Sequence, residues 1–170
     1  VLAPTRELAT QIGDSFRTYG RFTGLRHTVI FGGVGQNPQV KALRNGVEIV
    51  VATPGRLLDL MNQGFVDLSH VEILILDEAD QMFDMGFREE LEAIVEAMPK
   101  ERRSHLLSAT FPPQVRQLAN RFQRDALHLE GTRLGAANED IEHIAYLVRP
   151  NEVYAALVNL LLLTEGARCL

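Results

Sequence analysis

The chain has 170 residues, 46% of them hydrophobic and 23% charged, with one cysteine and a formal net charge of −5. That length suffices for one full domain and a little more, and the composition is that of a globular chain rather than a disordered or fibrous one. The longest purely apolar runs, such as residues 160–163, are far too short to span a bilayer, so no membrane role is expected.

Val1-Leu2-Ala3 reads as the end of a strand, and Pro4-Thr5-Arg6-Glu7 as the start of a helix. Thr5 is a candidate N-cap, and Leu8, Ile12, Phe16 and Tyr19 are spaced for one apolar face ending at Gly20 and Gly24. Residues 27–31 form the next predicted strand, closed by Gly32-Gly33, and residues 38–44 a short helix stopped at Gly46. Residues 47–52 read as a buried strand, and Thr53-Pro54-Gly55-Arg56 as a helix start with Leu57, Leu58, Leu60 and Met61 turned inward.

Val71-Glu72-Ile73-Leu74-Ile75-Leu76 then runs directly into Asp77-Glu78-Ala79-Asp80. A nearly continuous apolar run of this length is a strand buried on both faces of a parallel sheet. The acids therefore stand at its carboxyl end, where open α/β sheets bind ligands. Carboxylates there suit Mg²⁺, a hard cation that prefers oxygen and keeps several waters. Capping of the following helix is the plain alternative. A Glu-rich helix follows over residues 89–98, with its charged face in solvent, then a strand over 104–107, Ser108-Ala109-Thr110, a helix over 112–122 and a short strand over 126–130. Strands alternate with helices throughout, which predicts an α/β fold with a parallel, doubly wound sheet. The strand-end loops then gather along one edge. Residues 131–140 read as a linker, 141–148 as a strand and 152–163 as a helix of a second domain. Phe16, Phe83, Phe87 and Phe122 are expected in the core, and the five histidines show no metal-ligand spacing.

Charge is unevenly spread: residues 1–60 hold seven Lys/Arg against four Asp/Glu, and residues 61–170 ten against eighteen. A phosphate-binding face is therefore expected in the first third. The lone Cys169 excludes an internal disulfide and fits a reducing, cytoplasmic setting.

Together, Pro-Thr-Arg-Glu-Leu-Ala at 4–9, Phe-Gly-Gly-Val at 31–34, Thr-Pro-Gly-Arg at 53–56, Asp-Glu-Ala-Asp at 77–80 and Ser-Ala-Thr at 108–110 resemble, in order and spacing, the DEAD-box family of ATP-dependent RNA helicases. The resemblance implies a RecA-like, P-loop NTPase-type domain over residues 1–130, the 131–140 linker, and the start of a second RecA-like domain over 141–170. It implies ATP and Mg²⁺ as cofactors, Asp77 holding Mg²⁺ through water, and Glu78 orienting or deprotonating the attacking water. Asp80, Ser108 and Thr110 would couple the nucleotide site to closure of the two domains. Pro4, Thr5, Arg6, Glu7, Gly33, Thr53, Pro54, Gly55 and Arg56 would grip the RNA sugar–phosphate backbone without reading sequence. Local capping is the alternative for Ser108 and Thr110, and an intramolecular ion pair for Arg6 and Arg56.

Val1 is not Met, and both ends read as regular structure, so the chain is expected to be an internal piece of a longer protein. The Gly-rich loop ending in Gly-Lys-Thr or Gly-Lys-Ser, which supplies most of the phosphate grip, does not occur in residues 1–170. These residues alone are therefore expected neither to hydrolyse ATP nor to unwind RNA. Two other functions remain open: a non-catalytic RNA-binding or regulatory module, and a related DNA helicase.

Overall fold

The computed structural model describes residues 1–123, 125–131 and 144–163. By internal contacts the chain divides into Val1–Leu129 and Glu130–Leu170.

In the first unit, β1 (His27–Ile30) pairs in parallel with β2 (Ile49–Ala52), and β3 (Ile73–Leu76) with β4 (Arg103–Leu106). Leu2 joins the two pairs through parallel bridges to Ala52 and Leu76. Ala3 N–H donates to Ala52 O at 3.0 Å, Leu2 N–H to Ile75 O at 2.8 Å, and Asp77 N–H to Leu2 O at 3.0 Å. The sheet order is therefore β1, β2, the Val1–Ala3 segment, β3, β4, all parallel.

Side chains alternate along these strands because successive Cβ atoms point to opposite faces. Val29, Val51 and Ala3 face α1 (Arg6–Tyr19), packing with Ala9, Ile12 and Phe16. A Cβ built on Gly13 would collide with Val29 Cγ2, so glycine there lets α1 lie close to the sheet. Ile30, Ala52, Leu2, Leu74 and Leu76 face the larger core. That core is covered by α2 (Asn37–Arg44), α3 (Pro54–Asn62), α4 (Ala79–Asp84), α5 (Arg88–Glu96) and α6 (Pro113–Phe122). Helices on both faces make this the doubly wound α/β arrangement expected from the alternation. Phe83, Phe87 and Phe122 pack against the larger core.

Polar groups tie the periphery. Arg26 donates its backbone N–H to Glu48 Oε2 and its Nη2 to Glu48 Oε1, both at 2.7 Å, where β1 and β2 begin. The side-chain and then the backbone hydrogen bonds from Arg26 bring the Glu48 carboxyl down to about 2. The Glu-rich face of α5 is partly answered from α6, where Arg121 reaches Glu92 at 2.9 Å and Glu96 at 2.6 Å.

Three expectations fail outright and one element was missed. Tyr19 is 83% exposed: Phe16 already lies over His27 at the start of β1, so the last turn of α1 overhangs the sheet. Residues 126–130 are irregular, with Leu127 and Leu129 exposed; alternation alone does not make a strand where no neighbour takes up its backbone groups. Residues 144–148 are likewise irregular, and 141–143 lie outside the described residues. Helix α4 was not anticipated, because its six residues begin inside the acidic loop. In the second unit a 3₁₀ turn at Pro150–Glu152 leads into α7 (Val153–Leu163). No helix among the described residues is long and apolar enough to cross a membrane.

Candidate functional site

Every strand of the parallel sheet ends at the same edge, and a loop singled out from the sequence leaves each end. Across the sheet the order is Phe31–Val34 after β1, Thr53–Arg56 after β2, Pro4–Glu7 after the Val1–Ala3 segment, Asp77–Asp80 after β3 and Ser108–Thr110 after β4. At about 4.8 Å per strand the edge spans roughly 19 Å from first loop to last. The loops that carry Arg6 and Arg56, with Glu7 beside them, occupy the β1 side, and the acidic and hydroxyl loops the β4 side. Among the described residues no side-chain hydrogen bond joins the two groups.

At the acidic end, Glu78 has φ 51° and ψ 53°, a left-handed conformation that L-residues with a Cβ adopt at a cost of about 1 kcal/mol. Asp77 Oδ1 accepts the Glu78 backbone N–H at 3.0 Å. The kink leaves Asp77 half-buried and Glu78 exposed. One Asp77 oxygen is thus fixed to the backbone and the other is available. Among the described residues no cluster of three or more His, Cys, Asp or Glu could hold a metal ion. A cation at Asp77 would therefore complete its shell with water and phosphate oxygens, which suits Mg²⁺ better than a metal needing an all-protein cage.

Asp80 is the buried node. Its Oδ2 accepts the Thr110 hydroxyl at 2.7 Å and the Thr110 N–H at 2.9 Å; its Oδ1 accepts the Gln81 N–H at 3.1 Å. Ser108 Oγ accepts the Asp80 N–H at 3.1 Å and donates to Thr110 O at 2.7 Å. Burial by itself would raise the Asp80 pKa. The hydrogen bonds with Thr110, Ser108 and Gln81 together outweigh it and hold the carboxyl below the usual aspartate range. The structure thus brings Asp80, Ser108 and Thr110 together as one lock between the β3 and β4 loops.

On the basic side, Thr5 caps α1, its hydroxyl accepting the Leu8 N–H at 3.2 Å. Thr53 occupies the N-cap of α3 without a side-chain cap bond. The first-turn amides of Gly55 and Arg56 have no helical carbonyl to donate to, and such a helix start favours anions. Pro4 and Pro54 are fully buried and anchor the two helix starts, and Glu7 stands exposed in the first turn of α1. Gly33 has φ 76°, and a Cβ there would lie 2.6 Å from Arg6 Nη1. Arg6 reaches Gly32 O at 3.5 Å, and Arg56 donates to Val34 O at 3.2 Å. Arg56 also lies 3.6 Å from Asp59, with its side chain 14% exposed. Both arginines are thus engaged within the chain: Arg6 loosely at the surface, Arg56 more tightly.

Sequence reasoning overlooked Gln39, a buried polar residue of α2 whose Nε2 donates to Phe31 O at 3.0 Å. Its neighbour Val40 is buried as well, and no local sequence signal separates Gln39 from a solvated polar residue of the helix.

The sequence model of the DEAD/DEAH box helicase family matches residues 1–118. DEAD-box ATP-dependent RNA helicase 30 of Arabidopsis thaliana is 43% identical over the whole of this chain, which spans 29% of that relative. ATP-dependent RNA helicase DBP2 of Gibberella zeae is 42% identical over 89% of the chain, corresponding to 28% of its own length. Among solved structures, a DEAD box protein from Methanococcus jannaschii superposes with a TM-score of 0.74 at 41% identity, covering 94% of this chain and 43% of that one. The chain therefore spans under a third of the length of each of these two curated relatives. With the family model covering well over half of its residues and all five loops on one sheet edge, the chain belongs to the DEAD/DEAH box helicase family, and its sheet is that of a RecA-like domain.

Proposed function

We propose that this chain supplies the catalytic carboxylates and the RNA-contacting loops of an ATP-dependent RNA helicase. The observation that carries the reading is the division of one sheet edge into a basic half and an acidic half. A bound strand on the first would lie within about 20 Å of a triphosphate on the second. The relatives' names, which specify RNA and ATP, support the same reading.

Asp77 is the residue that would hold Mg²⁺, through water, and the ion would supply neutralisation of phosphate charge. Glu78, exposed by its left-handed backbone, orients the attacking water and accepts its proton. The Asp80–Ser108–Thr110 lock ties the β3 loop to the β4 loop, so that a shift at one is felt at the other. Pro4, Thr5, Arg6, Glu7, Gly33, Thr53, Pro54, Gly55 and Arg56 form the RNA face. Backbone amides and guanidinium groups there meet phosphates, while no exposed aromatic in these loops stacks a base, so binding is indifferent to sequence. Residues 131–140, of which 132–140 lie outside the described residues, are assigned as the linker. Residues 141–170, described only over 144–163, are assigned as the opening of a second RecA-like domain, and the protein works in the cytoplasm.

The test is binding of single-stranded RNA and of DNA of the same sequence at one salt concentration, because affinities at different salt are not comparable. RNA should bind more tightly, through its 2′-hydroxyls, and Arg6→Ala should weaken it. Equal or tighter binding of DNA would replace this reading with that of a DNA helicase.

A further inference from the structure

The turn after β1 is held by three side chains from three different helices, each taking one carbonyl. Gln39 of α2 donates to Phe31 O at 3.0 Å, Arg6 of α1 reaches Gly32 O at 3.5 Å, and Arg56 of α3 donates to Val34 O at 3.2 Å. The two arginines are cations that a phosphate can draw away. Gln39 is neutral, 8% exposed and committed to its bond. It is the fixed point of the turn.

Its chemistry is unusual for that place. Among the described residues Gln39 Oε1 is buried with no hydrogen-bond partner, a state uncommon in native structures. Beside buried Val40 an apolar side chain would pack in the same interior, but it would leave Phe31 O without the donor that Gln39 supplies. Residues that break a local rule of this kind mark sites where something other than stability is being held. What Gln39 holds is the Phe31 carbonyl, and through it the next two residues. Gly33 lies so close to Arg6 Nη1 that a Cβ would come within 2.6 Å, so a small displacement of the turn removes the seat of that guanidinium.

We propose that Gln39 is a positioning residue for RNA: by fixing Phe31 it sets the Gly32–Val34 turn against which Arg6 is pre-aligned for a backbone phosphate. This rests on the RNA-helicase reading above. Pre-alignment matters because a long arginine side chain otherwise loses rotamer freedom on binding, and a site is only as well placed as the groups that support it.

The experiment uses the full chain with a fluorescent single-stranded RNA, titrated across a salt series, in wild type, Gln39→Met, Arg6→Ala and the double variant. Gln39→Met removes no charge. It should nevertheless weaken binding about tenfold and flatten the plot of log affinity against log salt by about 0.7, the value of one lost single-strand phosphate contact. The double variant should bind no more weakly than Arg6→Ala. An unchanged slope in Gln39→Met, or losses that multiply in the double variant, overturns the proposal. Wild type that fails to bind RNA overturns the functional reading itself, whereas wild type sensitive to Arg6→Ala but not to Gln39→Met overturns only this inference. Should Gln39→Met melt early, the wild-type side-chain amide of Gln39 gives the same answer by NMR. Its protons should exchange slowly and shift on RNA addition; fast exchange, or no response to RNA, refutes the role.

Discussion

Replacing Asp80 by alanine tests the lock between the acidic loop and the Ser108–Thr110 loop. The carboxylate accepts three hydrogen bonds: from the Thr110 hydroxyl at 2.7 Å, the Thr110 N–H at 2.9 Å and the Gln81 N–H at 3.1 Å. Bonds to a charged group contribute about 1.5–3 kcal/mol each when nothing replaces them. Water can enter the space left at this edge, so about 1 kcal/mol per bond, or about 3 kcal/mol in all, is the appropriate expectation. Against a total stability of about 5–15 kcal/mol this is a large loss, equivalent to a drop of roughly 10 °C in Tm. Urea and thermal unfolding followed by circular dichroism would measure it. The loss should depend on pH with a defined sign. Because the folded carboxyl sits below the usual aspartate range, its contribution is complete above the unfolded pKa of about 4. It disappears as pH falls through the lower folded value. Thr110→Val should cost about 1 kcal/mol and add little to Asp80→Ala, because the two share one bond. A loss under about 1 kcal/mol for Asp80→Ala, or one that persists unchanged at low pH, would refute the reasoning.

Three other outcomes are expected. The stabilisation carried by Glu48, whose carboxyl Arg26 brings down to about 2, should be complete above about pH 4.5 and fade as pH falls towards 2, so Glu48→Gln should melt below wild type at neutral pH by a margin that narrows on acidification. Gly33→Ala places a Cβ at φ 76°, 2.6 Å from Arg6 Nη1; it should cost about 1 kcal/mol of stability and, by displacing the guanidinium, lower single-stranded RNA affinity about tenfold, read by fluorescence anisotropy. Glu78→Gly should relieve the left-handed strain and raise unfolding stability by about 0.5–1 kcal/mol, while the intact protein loses ATP turnover.

The architecture was legible because it rests on burial. The inner strands are short apolar runs ended by Thr-Pro or Asp-Glu, which announce both the strand and its functional edge. However, β3 is not buried on both faces as expected: Leu74 and Leu76 face the core while Ile73 is 51% exposed, because α1 covers only the β1–β2 side of the opposite face. The helix start at Thr5 was legible for a similar local reason: its hydroxyl needs only the amide three residues on. What depended on distant partners was not. Residues 126–130 have strand-like alternation, but among the described residues no strand pairs with them. Helix α4 is short and lacks a side-chain cap, so nothing local separates it from the acidic loop. The left-handed backbone at Glu78 is imposed by the junction of strand and helix, since glutamate itself gives no sign of it. Gln39 reads in sequence as one more solvated polar residue, and only the position of Phe31 O, eight residues away, makes it a structural contact.

The most direct test of the central claim is ATP hydrolysis by the intact protein with and without single-stranded RNA, in wild type and in Glu78→Gln. The account predicts that RNA raises wild-type turnover, that Glu78→Gln abolishes turnover, and that the variant still binds RNA as wild type does, because Glu78 stands in the acidic half of the edge and the RNA loops in the basic half. Hydrolysis indifferent to RNA, or a Glu78→Gln protein that keeps its turnover, would contradict it.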